Sequence, residues 1–408
     1  MNQTEIEKIA RAYGLKNAIA YEGNASQGAI IAGLFAAGLE KSDLPKNMKL
    51  ISQILKEINS KDIEEQKDEF EKYKKFIGHR QERDGLPELP EVDKKKGVIT
   101  RFSPSPSGAM HIGHALTSSI SYLFVKEYGG KMYLRIEDTN PENIFEPAYK
   151  LLEQDAAWLF ENNFETVIQS ERMELYYKYV DKFLKKDAVY VCTCQSEKFK
   201  ELIDKMQTCP CRSLSSKENM SRWKKMLDPV SKKGYDEGEA VLRFKSDIKN
   251  KNPALRDFPL ARINLSEHPL QKHKYKVWPL MNLAVTVDDI EMSVTHVIRA
   301  KEHRDNATRQ KMMYVALGVE KKYPWTSYLG RINLKDMELS ATQITKGVNE
   351  GKYSGWDDPA LPTLAALRKK GYKPQAFHKF AERIGLSEND KTMDKKEFFQ
   401  LLDSFNRD

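Results

Sequence analysis

Apolar residues recur at helical spacing from the start of the chain to about residue 84: Ile6, Ile9 and Ala10, then 29–39, then 48–58, then a charge-laced run over 62–77, with Gly and Asn between them. The pattern predicts a helical domain over 1–84. The next stretch, GLPELPEVDKKK over 85–96, is rich in Pro and charge and predicts a linker. The period then changes. Residues 97–102 are β-rich, a Ser/Pro loop closed by Gly108 follows, and Ile112, Leu116, Ile120, Leu123 and Phe124 fall on one helix face. Gly129-Gly130 ends that helix before a second apolar run at 132–136, so 97–136 predicts a parallel strand-helix-strand unit.

Further on, 146–160 has the pattern of an amphipathic helix and 166–169 that of a short strand. A helix opening at 169–172 carries Tyr176, Tyr177, Tyr179, Val180 and Phe183, a stripe expected to pack in a core. Apolar runs return at 278–289 and 294–302, and 363–402 is expected to be helical. Helices alternating with strands place the chain in the α/β class.

Three groups of residues suggest chemistry. Gly108 lets a loop turn tightly, Gly113 removes a side chain where another group comes close, and His111 and His114 stand at a helix start, where free N–H groups and the dipole favour phosphate. Two histidines there are also compatible with plain capping. Cys192, Cys194, Cys209 and Cys211 form two close pairs with fourteen residues between them. They suit a structural zinc, with buried thiols or redox chemistry as the other readings. Arg222, Trp223, Lys224, Lys225, Arg243, Phe244, Lys245 and 272–276 interleave basic groups with rings, as an RNA backbone with splayed bases would require; a solvated basic surface gives the same composition.

Composition narrows the class. Of 408 residues, 31% are charged, and the net charge of +8 permits a polyanionic partner without requiring one. The mean hydropathy is −0.64. No apolar run approaches the ~18 residues of a membrane span and residues 1–9 lack signal-peptide character, so no membrane partner and a cytoplasmic location are the default expectations.

The motifs Arg101-Phe102-Ser103-Pro104-Ser105-Pro106-Ser107-Gly108, His111-Ile112-Gly113-His114 and Arg135-Ile136-Glu137-Asp138-Thr139 resemble the signature of the glutamyl- and glutaminyl-tRNA synthetases, class I ligases of archaeal and eukaryotic type. The resemblance runs from about residue 5 to about 385. It implies a split Rossmann catalytic domain of the class I synthetase, HIGH-type nucleotidyl transferase kind, behind an N-terminal helical domain that either contacts tRNA or is a packing appendage. The implied division is 1–84 helical domain, 85–96 linker, 97–190 first Rossmann half, 191–276 zinc-stapled insertion for the tRNA acceptor end, 277–330 second half, and 331–408 signature loop and helical stem-contact region.

The resemblance also implies roles. ATP with Mg²⁺ would meet Gly108, His111, Gly113 and His114, with Glu302 approaching the adenosine. Arg101, Ser105 and Glu137 would hold L-glutamate, Glu137 facing its ammonium. Arg299 would select acid over amide, since a buried guanidinium grips a carboxylate and an amide does not repay that desolvation. Two positions depart from the family: Met281 replaces a tyrosine at the amino acid, and Gln343 replaces the lysine of the second signature loop, 339–347, leaving Lys346 as the nearest cation for the phosphates. Full family members continue into anticodon-binding β-barrels, so a truncated chain, one half of a split enzyme served by a separate anticodon-binding chain, or a shortened paralogue is expected. The implied reaction is ATP-dependent tRNA aminoacylation with glutamate. The alternatives are a tRNA-binding paralogue with weakened catalysis and a glutamyl transferase acting on a modified tRNA base.

Overall fold

The computed structural model describes residues 1–77, 85–335, 337 and 341–407. They fall into two compact units, 1–83 and 84–408. In the first, α1 (Gln3–Ala20), α2 (Gln27–Ala36), α3 (Leu44–Asn59) and α4 (Ile63–Tyr73) surround a core of Ile6, Leu15, Ile30, Leu34, Ile51, Ile54 and Ile58. Asn2 with Glu5, and Asp62 with Glu65, form capping boxes that satisfy the first amides of α1 and α4. Gly33 lets α2 lie against the Tyr13 ring, which a Cβ would meet at 2.1 Å.

In the second unit, β1 (Val98–Phe102), α5 (Ile112–Tyr128), β2 (Gly130–Ile136), α6 (Ala148–Leu159) and β3 (Glu165–Ile168) build a three-stranded parallel sheet with β2 in the middle. The predicted strand-helix-strand unit is this one. After α7 (Met173–Lys185) the chain leaves the sheet. β4 (Val189–Cys192), α8 (Ser196–Asp204), α9 (Ser216–Leu227), β5 (Val241–Phe244), β6 (Pro259–Ile263) and β7 (Val277–Pro279) form the insertion, whose strands pair antiparallel in the order β4-β5-β6-β7. Its sheet spans 189–279, slightly beyond the 191–276 read from the sequence. Tyr176 and Tyr179 pack in its core, as the stripe implies.

The chain then returns as α10 (Met281–Glu291), β8 (His296–Ala300), α11 (Arg304–Leu317) and β9 (Trp325–Leu329), with β8 and β9 parallel. The Thr295 amide donates to Ile99 O and the Ile99 amide to Thr295 Oγ1, both at 2.9 Å, which sets β8 beside β1. Two parallel pieces from distant parts of the chain thus join edge to edge, a split Rossmann arrangement.

The final region differs from the expectation of helix throughout 363–402. After β10 (Ile332–Leu334) and α12 (Ala341–Asn349), helices α13 (Leu364–Lys369), α14 (Pro374–Ile384) and α15 (Lys395–Arg407) are interrupted by a strand, β11 (Lys391–Met393), parallel to β10. Three residues carry no readable alternation, and their partner lies almost sixty residues away, so local periodicity has no access to the pairing. Phe377, Phe380, Phe398 and Leu402 from these helices join the core beneath α5. Among the described residues no helix is long and apolar enough to cross a membrane.

Candidate active site

Parallel strands present their carboxyl ends to ligands at the point where the topology switches. A cavity of about 390 Å³ opens there, lined by Arg101 of β1, Ser103 and Ser105 after it, Thr117 and Ser118 of α5, Glu137 after β2, Met281 of α10, Arg299 of β8 and His303 after it. Four of the predicted amino-acid contacts, Arg101, Ser105, Glu137 and Arg299, therefore share one cavity with the departing residue, Met281.

The histidine pair stands beside it. Their rings stack with centroids 3.8 Å apart, and His114 lies 5.7 Å from the ring of Phe102, a cavity-lining residue. His111 is itself the N-cap of α5: its Nδ1 accepts from the Gly113 amide at 3.1 Å. That bond leaves the proton on Nε2, a donor suited to a phosphate oxygen. Capping and phosphate contact are thus compatible uses of the two nitrogens. Burial lowers the His111 pKa to about 4, and burial together with His111 holds His114 well below its ordinary value, so both are neutral donors.

The two glycines act by packing. Gly108 does not have the left-handed backbone that a glycine-specific turn requires; a Cβ there would meet the Trp356 ring at 2.3 Å. A Cβ on Gly113 would meet the His111 ring at 3.0 Å. The approaching group is a neighbouring side chain in each case.

Charge organises the inner end of the cavity. Asp289 accepts from Arg101 Nε at 2.9 Å and Nη2 at 3.3 Å, and from Arg135 Nη1 at 2.6 Å, with all three residues buried. Arg101 still lines the cavity, but part of its fork is already committed. The preceding residue, Asp288, faces away and accepts from Gln169, Arg172 and Tyr176 at 2.8 to 2.9 Å. Burial raises the Glu137 pKa, a shift opposed by Arg135 and Arg101. The sequence contains this signal in two consecutive aspartates closing an apolar helix, which have no reason to be buried unless each is paired.

Other predicted residues are placed differently. Glu302 does not line the cavity; its carboxylate pairs with Arg331, and the following residue, His303, occupies the wall. Gln343 is exposed in the first turn of α12. Lys346 is also exposed, 3.8 Å from Glu350, and lines a second cavity of about 740 Å³ with Ser105, Ser107 and Glu142. Ser105 belongs to both cavities. Leu339 and Ser340 of the signature loop lie outside the described residues.

In the insertion, the sulfurs of Cys192, Cys194, Cys209 and Cys211 all lie within 4.8 Å of one another, with Cys192–Cys209 at 3.9 Å and Cys194–Cys211 at 3.8 Å. A tetrahedral zinc with Zn–S of ~2.3 Å has S···S edges of ~3.8 Å, so the donor set fits. Arg222 Nη1 donates to Cys211 Sγ at 3.3 Å, which offsets thiolate charge. The basic stretch is less available than its composition implies. Trp223 and Phe244 are buried, Arg243 stacks over Phe199, and Lys276 donates to backbone carbonyls; Lys224, Lys225 and, on a hairpin, Lys272, His273 and Lys274 remain exposed.

The family model described as "tRNA synthetases class I (E and Q), catalytic domain" matches residues 97–405. The chain belongs to this family. Among curated class I synthetases, it is 41% identical over 401 residues to the glutamate–tRNA ligase of Pyrococcus abyssi, covering 95% of this chain and 68% of that one. With the glutamate–tRNA ligase of Methanobrevibacter smithii it shares 39% over 407 residues, covering 98% and 71%. A solved glutamate–tRNA ligase from Elizabethkingia meningosepticum, in complex with its amino acid, superposes with TM-score 0.52 at 22% identity over 76% of this chain and 69% of that one. The shared synthetase fold extends to this distance.

One residue outside the motifs supports the histidine turn. Buried Asp155 of α6 accepts from the Met110 amide at 3.0 Å, and burial raises its pKa to about 7. An acid whose folded pKa is raised holds its proton while the unfolded chain releases it, so stability falls as pH rises from about 4 through about 7. Asp155→Asn keeps an acceptor without the charge. Its advantage over wild type in chemical denaturation is expected to widen by roughly 2–3 kcal/mol between pH 5 and pH 8; a gap independent of pH would show that Asp155 is ionised throughout.

Proposed function

We infer that this chain is a glutamate–tRNA ligase, activating L-glutamate with ATP and passing it to the 3′ end of tRNA. The observation that carries the choice of amino acid is Arg299, a half-buried guanidinium on the cavity wall facing the same space as Glu137. A dicarboxylic substrate brings one carboxylate for such a cation and an ammonium for Glu137. The identity to curated glutamate–tRNA ligases supports the same reading.

The chemistry needs no protein nucleophile. The substrate's α-carboxylate attacks the α-phosphorus of Mg²⁺·ATP, pyrophosphate leaves, and a ribose hydroxyl at the tRNA end attacks the mixed anhydride, releasing AMP. The chain's part is to hold the reactants in line and to meet developing charge with fixed donors. His111 Nε2–H and the amides opening α5 face the phosphates in this reading, and Arg101 and Ser105 orient the amino acid. A zinc held by Cys192, Cys194, Cys209 and Cys211 would staple the insertion, far from the reacting atoms in role. Lys346 is the cation nearest Gln343 in the sequence and the one we assign to the departing pyrophosphate.

Glutamate-dependent ATP–pyrophosphate exchange, with and without tRNA, tests the reading. Exchange above background with glutamate, and not with glutamine, is expected; tRNA binding without exchange would favour the catalytically weakened paralogue. Lys346→Ala is expected to slow exchange by ~10-fold or more, and an undiminished rate removes Lys346 from the mechanism. Chelation is expected to lower the Tm of the zinc-loaded chain before it alters the exchange rate; metal loss without a thermal shift counts against a structural role.

A further inference from the structure

The guanidinium groups at the inner end of the cavity are not compensated alike. Arg101 and Arg135 share the carboxylate of Asp289. Arg299 makes no ion pair among the described residues. Its Nη1 donates at 2.9 Å to the side-chain oxygen of Gln310, a neutral group, and its buried Nε has no hydrogen-bond partner there. Burial and the neighbouring charge of Arg101 lower its pKa to about 10, a shift that Asp289 and Glu137 oppose from a distance without pairing with it.

Gln310 cannot turn around. Its Nε2 donates to Asn282 Oδ1 at 3.2 Å, Asn282 Nδ2 donates to Asn306 Oδ1 at 3.2 Å, and Asn306 Nδ2 donates to His303 Nδ1 at 3.1 Å. Each amide accepts through oxygen and donates through nitrogen, so one direction runs through the whole chain. It starts at Arg299 and ends at His303, both on the cavity wall. Arg299 is thereby held in place and His303 keeps its proton on Nε2.

We propose that Gln310 is the positioning residue that makes Arg299 selective for a carboxylate: its neutral oxygen fixes the guanidinium without cancelling the charge. A carboxylate at this position would neutralise Arg299 before any substrate arrived, and a hydrocarbon would leave it unoriented. This role rests on the reading that Arg299 receives the side-chain carboxylate of glutamate.

Gln310→Glu, nearly isosteric, tests it in the full chain. The expected result is a Tm above that of Gln310→Leu, because the pair gained with Arg299 offsets the donor toward Asn282 Oδ1 that both variants lose. KM for glutamate should rise ~100-fold while KM for ATP changes less than ~3-fold, and the glutamate-to-glutamine preference should fall. Gln310→Leu should lower Tm and raise KM for glutamate by ~10-fold. An unchanged KM for glutamate in Gln310→Glu overturns the proposal, as does a parallel loss in kcat and in both KM values with a lowered Tm, the signature of a purely structural residue. The substrate-free Tm is independent of the functional reading: a Gln310→Glu Tm no higher than that of Gln310→Leu, which loses the same donor, shows that Arg299 was not uncompensated. If wild type gives no glutamate-dependent exchange while the Tm of Gln310→Glu exceeds that of Gln310→Leu, the glutamate reading and this role fall together, and the charge balance alone stands.

Discussion

Asp289 is the constraint on which the catalytic unit depends. One carboxylate at the end of α10, in the second half of the sheet, binds guanidinium groups from β1 and β2, in the first half. Two buried arginines are stable there because that carboxylate meets both, with Asp288 a further 3.9 Å from Arg135, and removing one partner from such a group leaves a charge the interior cannot solvate, at a cost of about 3–5 kcal/mol. The same contact orients Arg101 at the cavity. Joining the halves and shaping the pocket are therefore one interaction.

The arrangement also explains how a pocket with so many ionised groups can discriminate. Carboxylates already present satisfy Arg101 and Arg135, while Arg299 faces an amide. Charge counting alone would treat the three as equivalent; hydrogen-bond partners separate them. Met281 on the same wall offers a thioether and no hydrogen-bond donor, which leaves electrostatics a larger share of recognition.

Much of this was legible in the chain. Helical periodicity located the N-terminal helices, and the change of period at 97–136 located the parallel unit and the start of its helix. His111 and His114 were found because their position at a helix start has a physical meaning, and the cysteines because four sulfurs at short spacing imply a common centre. Gly108 was found for the wrong reason: its neighbour is Trp356, almost 250 residues on, and no local pattern discloses a packing partner so distant. Gln310, Asn306 and Asp155 were missed for a related cause. An amide or a single acid on a helix face has no signature until its partners are known, and those partners come from other elements.

The seam between Ile99 and Thr295 joins residues 196 positions apart. At a ribosomal pace of roughly 5–20 residues per second, the β1 edge waits on the order of 10–40 s for its neighbour. The antiparallel insertion, built from nearer contacts, has time to form first. During that interval the free edge of β1 is open to other chains, so the nascent protein's hazard lies in its timing as much as in its final energy.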